Sequence, residues 1–403
     1  EWDMAMLSFV EDGFRLPVAK SRVSWRDANA VWVGTDFGPG SLTTSGYPRI
    51  VKLWHRGTPL DAATTLFEGD TGSVSASAFR LRTGAGDVDL IGESPSFWEN
   101  RYLLLVDGRT VPLELPASAS LRDGWMGRLV VSLTEDWVRG DVVYREGSVL
   151  VVDPVAVRGD VAPDAGRIDV LFEPRDGEVL SSVSATDAGI LVTLLDDVRG
   201  RVWHYQRIDG AWSRRRIPFP DNGTVRVVSV DERSGDFFAV FESFTTPPTL
   251  YHVDATSLAP EVVARQAPTF DASRFGASQH WATSADGTRV PYFVVAPRWI
   301  ALDGSNPTHI FAYGGFRNAV TPSYSGTYER IPRPFRIRPR ALRTACPSLN
   351  GSSPICGSFV HPPSSRHWVI RSPERSSREA ESGPSVSLAP RSPPVRPTWR
   401  GWR

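Results

Sequence analysis

The chain has 403 residues, with 45 Lys plus Arg against 45 Asp plus Glu, so its formal charge is zero. That length allows two or three domains with a sizeable core, and the absence of a run of about eighteen apolar residues excludes a transmembrane helix. Two cysteines, Cys346 and Cys356, exclude a disulfide scaffold and a multi-cysteine zinc cluster. No charged and apolar leader opens the chain, and a cytoplasmic location is the expectation. Because the sequence begins Glu1-Trp2-Asp3 rather than with Met, its true start is expected to lie upstream.

The zero net charge conceals a division. Residues 1–330 carry 32 basic and 42 acidic side chains, whereas 331–403 carry 13 Arg, no Lys and 3 Glu. The latter stretch also holds 13 Pro and 13 Ser, a composition that buries too little apolar surface to offset chain entropy. It is predicted to be a disordered tail. Arg outnumbers Lys by 43 to 2 over the chain, the two being Lys20 and Lys52. A coding sequence rich in G and C gives this bias, and read out of frame it yields Arg, Pro and Ser. The tail is therefore expected to be the product of a frame change near residue 331, with a genuine basic tail as the alternative.

The body reads as β structure. In chain order, Ala30–Val33, Tyr102–Val106, Leu129–Leu133, Gly189–Leu195, Val225–Val230 and Asp236–Phe241 are short apolar runs bounded by turn formers, the signal of strands. Nothing in 1–270 sustains a 3.6-residue apolar period over three turns, so few helices are expected.

A loose repeat runs through these strands. Val23-Ser24-Trp25-Arg26-Asp27, Val183-Ser184-Ala185-Thr186-Asp187 and Val228-Ser229-Val230-Asp231 each precede a strongly apolar strand. A third strand carrying aromatics follows each: Ile50–Trp54, Arg201–Tyr205 and Thr249–Val253. The later copies lie about 44 residues apart, within the period of propeller blades. A sandwich also supplies short strands but not the returning order of strand types. About five blades are predicted over 1–270. Asp27, Asp187 and Asp231 are expected to make turn hydrogen bonds within them.

The character changes near residue 270. His280–Ser284 and Val290–Val295 flank Asp286-Gly287, which predicts a hairpin, since Gly takes the positive φ of a tight turn. A third run, Thr308–Tyr313, is predicted as a strand ending in Gly314-Gly315-Phe316. Two glycines there permit a sharp turn and close approach to a ligand.

On these residues the sequence resembles the prolyl oligopeptidase family of serine peptidases. The resemblance is carried by Thr283–Pro291, Leu302–Thr308, Ala312-Tyr313-Gly314-Gly315-Phe316 and Thr321-Pro322-Ser323-Tyr324-Ser325. Upstream, Gly34–Ser41, Ser45–Arg49 and Thr246–Tyr251 are similar to the family's propeller. It implies part of a seven-bladed propeller over 1–270 and the first strands of an α/β-hydrolase domain over 271–330, and a hydrolase cleaving short peptides after proline. It further implies that Tyr313 donates its phenol O–H to the oxyanion of the tetrahedral intermediate, a contribution of about 3–4 kcal/mol in a dry site. Read without the motif, Tyr313 is ordinary half-buried packing at a strand end.

An α/β-hydrolase also needs an elbow Ser, then an acid and a His. No G-x-S-x-G occurs in the sequence: Gly276-Ala277-Ser278-Gln279-His280 ends in His, and Gly351-Ser352-Ser353-Pro354 has the wrong spacing. The triad is therefore expected to be absent, and the chain inactive. The seven His show no i, i+4 pair, so no metal site is expected, and no cofactor is predicted. His280 and His309 are read as packed or surface residues. Asn350-Gly351-Ser352 fits the glycosylation pattern but lies in the tail.

Two function classes remain open: a serine oligopeptidase lacking its triad, with proline-containing peptides as partners, or a propeller used as a binding module. A third reading, a nucleic-acid arm with Trp368, Trp399 and Trp402 stacking on bases, has only the tail's charge behind it.

Overall fold

The computed structural model describes residues 1–160, 166–306, 308–313 and 318–326. The tail 331–403, with both cysteines, Asn350 and its three Trp, lies outside the described residues, as do Gly314, Gly315 and Phe316.

Five four-stranded antiparallel sheets follow one another along the chain, each a simple meander. Blade 1 is Arg22–Asp27, Ala30–Gly34, Ile50–His55 and Thr64–Glu68; blade 2 is Ser75–Leu81, Val88–Ser94, Arg101–Val106 and Arg109–Pro112. Blade 3 is Ser120–Trp125, Arg128–Ser132, Val149–Val152 and Ile168–Phe172, with a small hairpin, Trp137–Arg139 and Val142–Tyr144, inserted between its second and third strands. Blade 4 is Glu178–Thr186, Gly189–Asp196, Arg199–Ile208 and Ala211–Arg216; blade 5 is Gly223–Val230, Phe237–Ser243, Thr249–Val253 and Pro260–Arg265. The five blades and the returning strand order agree with the sequence reading. Only three short 3₁₀ turns occur among the described residues.

The apolar runs are continuous because inner strands are buried on both faces. Along the second strand of blade 3, Leu129 and Val131 pack into the core shared with blade 2, beside Leu90, Tyr102 and Leu104. Val130, between them, points the other way, into the core shared with blade 4 beside Ile190 and Val192. Leu191 of blade 4 then feeds the next core, with Val225, Phe237 and Phe241 of blade 5. The two-residue period of a strand thus sorts neighbouring side chains into successive cores. The first strands of adjacent blades meet, Arg22–Asp27 against Ser75–Leu81 and Ser120–Trp125 against Glu178–Thr186. The fourth strands face outward, and Ala211–Arg216 carries an Arg run along its open edge, which discourages pairing with another chain.

Two-residue turns of the primed type join several strands. Asp107-Gly108, Met126-Gly127 and Asp209-Gly210 all have positive φ at both positions, the backbone that matches strand twist. Asp197-Val198 does the same with φ of 46° and 68°, a conformation a β-branched side chain resists. Asp27 and Asp231 behave as expected: the Asp27 carboxylate accepts from the Asn29 N–H, and Asp231 from those of Arg233 and Ser234. Asp187 differs. Its carboxylate takes no hydrogen bond from a described residue, and the turn is held by its N–H donating to the Glu232 carbonyl of blade 5, at 2.8 Å.

After blade 5 the chain forms the expected hairpin, Phe275–Thr283 with Arg289–Pro297, turning at Asp286-Gly287. The predicted strand over Thr308–Tyr313 is not formed: Ile310 makes a single bridge and its neighbours have no strand geometry. Apolar content alone does not make a strand, which needs a ladder of partners for its backbone groups.

Candidate functional site

The hairpin is fastened to one face of the blades, where second strands turn into third strands. Gln279 on its first strand donates its carboxamide N–H to the Asp197 carbonyl of blade 4, at 2.5 Å. Phe293 on its second strand packs against Phe244, just past the second strand of blade 5, at 5.2 Å between ring centroids. At the hairpin tip, the Asp286 carboxylate accepts from the Ser284 hydroxyl and the Thr288 N–H. These bonds favour its charged form and hold its pKa down at about 2.

Beyond the hairpin the described chain runs to Tyr313, whose side chain is 53% exposed. Its hydroxyl makes no hydrogen bond to another described residue, so its O–H is available as a donor. Thr321–Ser325 then return to blade 5. The Thr224 hydroxyl donates to the Pro322 carbonyl at 2.6 Å, and the Tyr324 N–H donates to Glu242 Oε2 at 2.9 Å.

One Ser–His contact lies in this region. Ser278 Oγ and His280 Nε2 are 2.8 Å apart, because residues i and i+2 share a strand face, and the imidazole stacks on Tyr292 at 5.6 Å. It lacks the rest of a catalytic constellation. No described carboxylate orients the other ring nitrogen, and Ser278 sits on a regular strand rather than on a strained turn beside backbone donors. The sequence does not single out this pair as a pair, and its geometry is that of a surface contact. His309 is exposed and unpaired among the described residues. No group of three His, Cys, Asp or Glu able to hold a metal occurs among the described residues.

Two buried polar features escape sequence reading. Asp123, at the end of the first strand of blade 3, accepts from the Ala185 and Gly124 N–H groups. Burial pushes its carboxyl above the usual range despite those bonds, with Glu232 adding in the same direction. His204 is 3% exposed with Nδ1 unpaired. Its burial, and secondarily Arg215, pushes its pKa down, so it is a neutral core residue.

Fold and site together define a β-propeller whose last described blade leads directly into a clamped hairpin and a glycine-flanked tyrosine. The family model described as the N-terminal β-propeller domain of prolyl oligopeptidase matches residues 156–266. An uncharacterized peptidase of Sinorhizobium fredii is 34% identical over 343 residues, covering 82% of this chain and 46% of the relative. A second, of Rickettsia prowazekii, is 26% identical over 81% of this chain and 47% of its own length. The prolyl endopeptidase of Elizabethkingia meningoseptica is 29% identical over 111 residues, 28% of this chain and 16% of that enzyme. Among solved structures, a post-proline cleaving enzyme from Rickettsia typhi superposes with a TM-score of 0.72 at 22% identity, over 82% of this chain and 50% of that one. That likeness speaks to the fold.

Residues 156–266 carry the N-terminal β-propeller domain of the prolyl oligopeptidase family, and over four-fifths of its length the chain is similar to peptidases. It spans slightly less than half the length of the Sinorhizobium and Rickettsia prowazekii peptidases. Among the described residues no helix is long and apolar enough to cross a membrane.

Proposed function

We propose that this chain is the propeller and hydrolase entrance of a prolyl-oligopeptidase-type serine peptidase, whose substrates are short proline-containing peptides and whose compartment is the cytoplasm. In this reading 1–270 is the propeller, 271–330 opens the α/β-hydrolase domain, and 331–403 is a disordered tail. The observation that carries it is the junction: the last described blade passes into a hairpin clamped on the blades, followed by Tyr313 before paired glycines.

In this scheme Tyr313 donates its O–H to the oxyanion formed when a nucleophile attacks the carbonyl carbon of the proline residue, whose bond to the following nitrogen then breaks. A directed O–H donor gains more from the developing negative charge of the transition state than from the ground-state carbonyl. The second donor in such a site is the backbone N–H after the elbow Ser. This sequence contains no elbow, so the chain by itself performs no hydrolysis. The alternative, a propeller that binds without catalysis, draws on the same observation that no described Ser, His and carboxylate come together.

A chromogenic Gly-Pro substrate, with and without a serine-directed phosphonylating reagent, tests the reading. No turnover above background is expected, and turnover abolished by the reagent would reveal a nucleophilic Ser and overturn it. The role of Tyr313 is tested separately in the Sinorhizobium peptidase. Replacing the residue aligned with Tyr313 by Phe should lower kcat by about 10²–10³; an unchanged kcat would remove the oxyanion assignment.

A further inference from the structure

The segment after the hairpin is held at both ends, and the downstream anchor is built from more than one kind of contact. Tyr324 is its centre. Its N–H donates to Glu242 Oε2 at 2.9 Å, and its hydroxyl oxygen accepts from the Thr269 N–H at 2.9 Å. Its ring stacks on Phe270 at 5.1 Å with 12° between planes, and Phe270 in turn meets the edge of Phe275 at 5.7 Å. Pro322 is buried, and its carbonyl takes the Thr224 hydroxyl. Gly326 passes Thr269 so closely that a Cβ there would lie 2.8 Å from Thr269 Oγ1.

Three places distant in sequence are thereby joined. Glu242 ends the second strand of blade 5, Thr269 and Phe270 are where the chain leaves that blade, and Phe275 opens the hairpin. The intervening chain, 298 to 320, includes Trp299, Leu302 and Phe311, which are 64%, 90% and 72% exposed. These apolar side chains are left largely uncovered, so the placement of the described part of this stretch falls to its anchors. Closing a chain at both ends removes conformational freedom that a chain fixed at one end retains.

We propose that Tyr324 and Glu242 are positioning residues that form a clasp between blade 5 and the hydrolase-opening segment, and so fix the place of Tyr313 relative to the propeller. This rests on the reading of Tyr313 as the oxyanion donor for its consequence, but the clasp itself is a statement about geometry. The propeller then sets where the donor stands through a contact eleven residues downstream of it.

Hydrogen exchange of the full chain, read by mass spectrometry, tests the clasp without any need for activity. In the parent chain the amides of Thr269 and Tyr324, which donate to the Tyr324 hydroxyl and to Glu242, should be protected. Glu242→Ala should speed exchange at Tyr324 at least tenfold, and Tyr324→Ala should do the same at Thr269. Both should also speed exchange across 308–313, while Val149–Val152 in blade 3 stays unchanged. Glu242→Gln keeps an acceptor oxygen and should retain most of the protection, a rescue that bulk destabilisation would not produce. Thr224→Val, which removes only the donor to Pro322, is the second variant should either alanine substitution unfold blade 5, and it should loosen 318–326 and 308–313 together. A fluorotyrosine at 313 reports the donor directly, and its ¹⁹F resonance should shift in Glu242→Ala and return toward the parent position in Glu242→Gln. Unprotected Thr269 and Tyr324 amides in the parent would overturn the clasp. Exchange across 308–313 and a ¹⁹F resonance both indifferent to its loss would overturn the positioning role. Either outcome is distinct from an unchanged kcat in the Sinorhizobium variant, which would strike only the oxyanion assignment.

Discussion

Arg207 of blade 4 reaches Asp169 of blade 3, at 3.4 Å between Nη1 and Oδ2. The carboxylate it meets is 8% exposed and already holds Arg128 at 2.7 Å as well as Arg167. One buried carboxylate therefore collects three guanidinium groups, and Arg128 also donates from Nη2 to the Val151 and Arg167 carbonyls. Burial pushes the Asp169 carboxyl up, but Arg128 and Arg167 pull it down further, and the net shift is below the usual range.

Asp169→Asn is accordingly expected to cost about 3 kcal/mol, because it leaves partly buried arginines without their counter-charge. The sign of the pH effect follows from the depressed carboxyl. Its contribution is fully present above the unfolded value of about 3.9 and is lost as pH falls through the lower folded value. Urea titrations from pH 7 to pH 3 should show a steeper acid loss in the parent than in the variant. A variant within about 0.5 kcal/mol of the parent at pH 7 would show that the cluster contributes nothing net.

Val198 sits at φ 68° in the turn that presents the Asp197 carbonyl to Gln279. A β-branched residue in the left-handed region stores about 1–3 kcal/mol. Val198→Asn relieves that strain and should raise stability by about 1 kcal/mol with the hairpin contact intact. A lowered urea midpoint would mean that the Val side chain contributes more by packing than its backbone costs.

Leu150 and Val151 are adjacent and fully buried, yet they face different cores. Leu150→Ala should cost about 3 kcal/mol and Val151→Ala about 2 kcal/mol. The double variant should lose nearly their sum, since the side chains share no core partners. A coupling above about 1 kcal/mol in the double-mutant cycle would show that the two cores communicate through the strand.

Ser278→Ala should leave reactivity toward a phosphonylating reagent unchanged, because the Ser278–His280 contact has no orienting acid and no oxyanion donors. Mass spectrometry of the labelled chain settles this: an adduct on Ser278 would make the pair a reactive dyad.

The blades were legible because burial on both faces writes itself into sequence as unbroken apolar runs such as Gly189–Leu195, and because turns such as Asp286-Gly287 are specified by two residues. What could not be read depends on register between distant strands. Nothing local links Asp169 to Arg128 and Arg207, or Tyr324 to Glu242 and Thr269, until strand pairing places them. The insert Trp137–Tyr144 was hidden for a related reason, as its strands have three residues each and no long period. Thr308–Tyr313 misled in the opposite sense, since its apolar content satisfies a strand pattern that its surroundings do not complete. Tyr313 itself was found by motif, and its geometry adds exposure but no hydrogen-bond partner among the described residues.

The sorting of alternate side chains into successive cores makes the blades a nearest-neighbour array. No described core is shared by more than two blades, so stability accumulates interface by interface, as in repeat proteins. A lesion in one core weakens the two blades that share it and reaches the others only through them. A lesion in the core between blades 4 and 5 therefore reaches the blade that carries the clasp and the hairpin directly, whereas one between blades 1 and 2 reaches it only through the blades between.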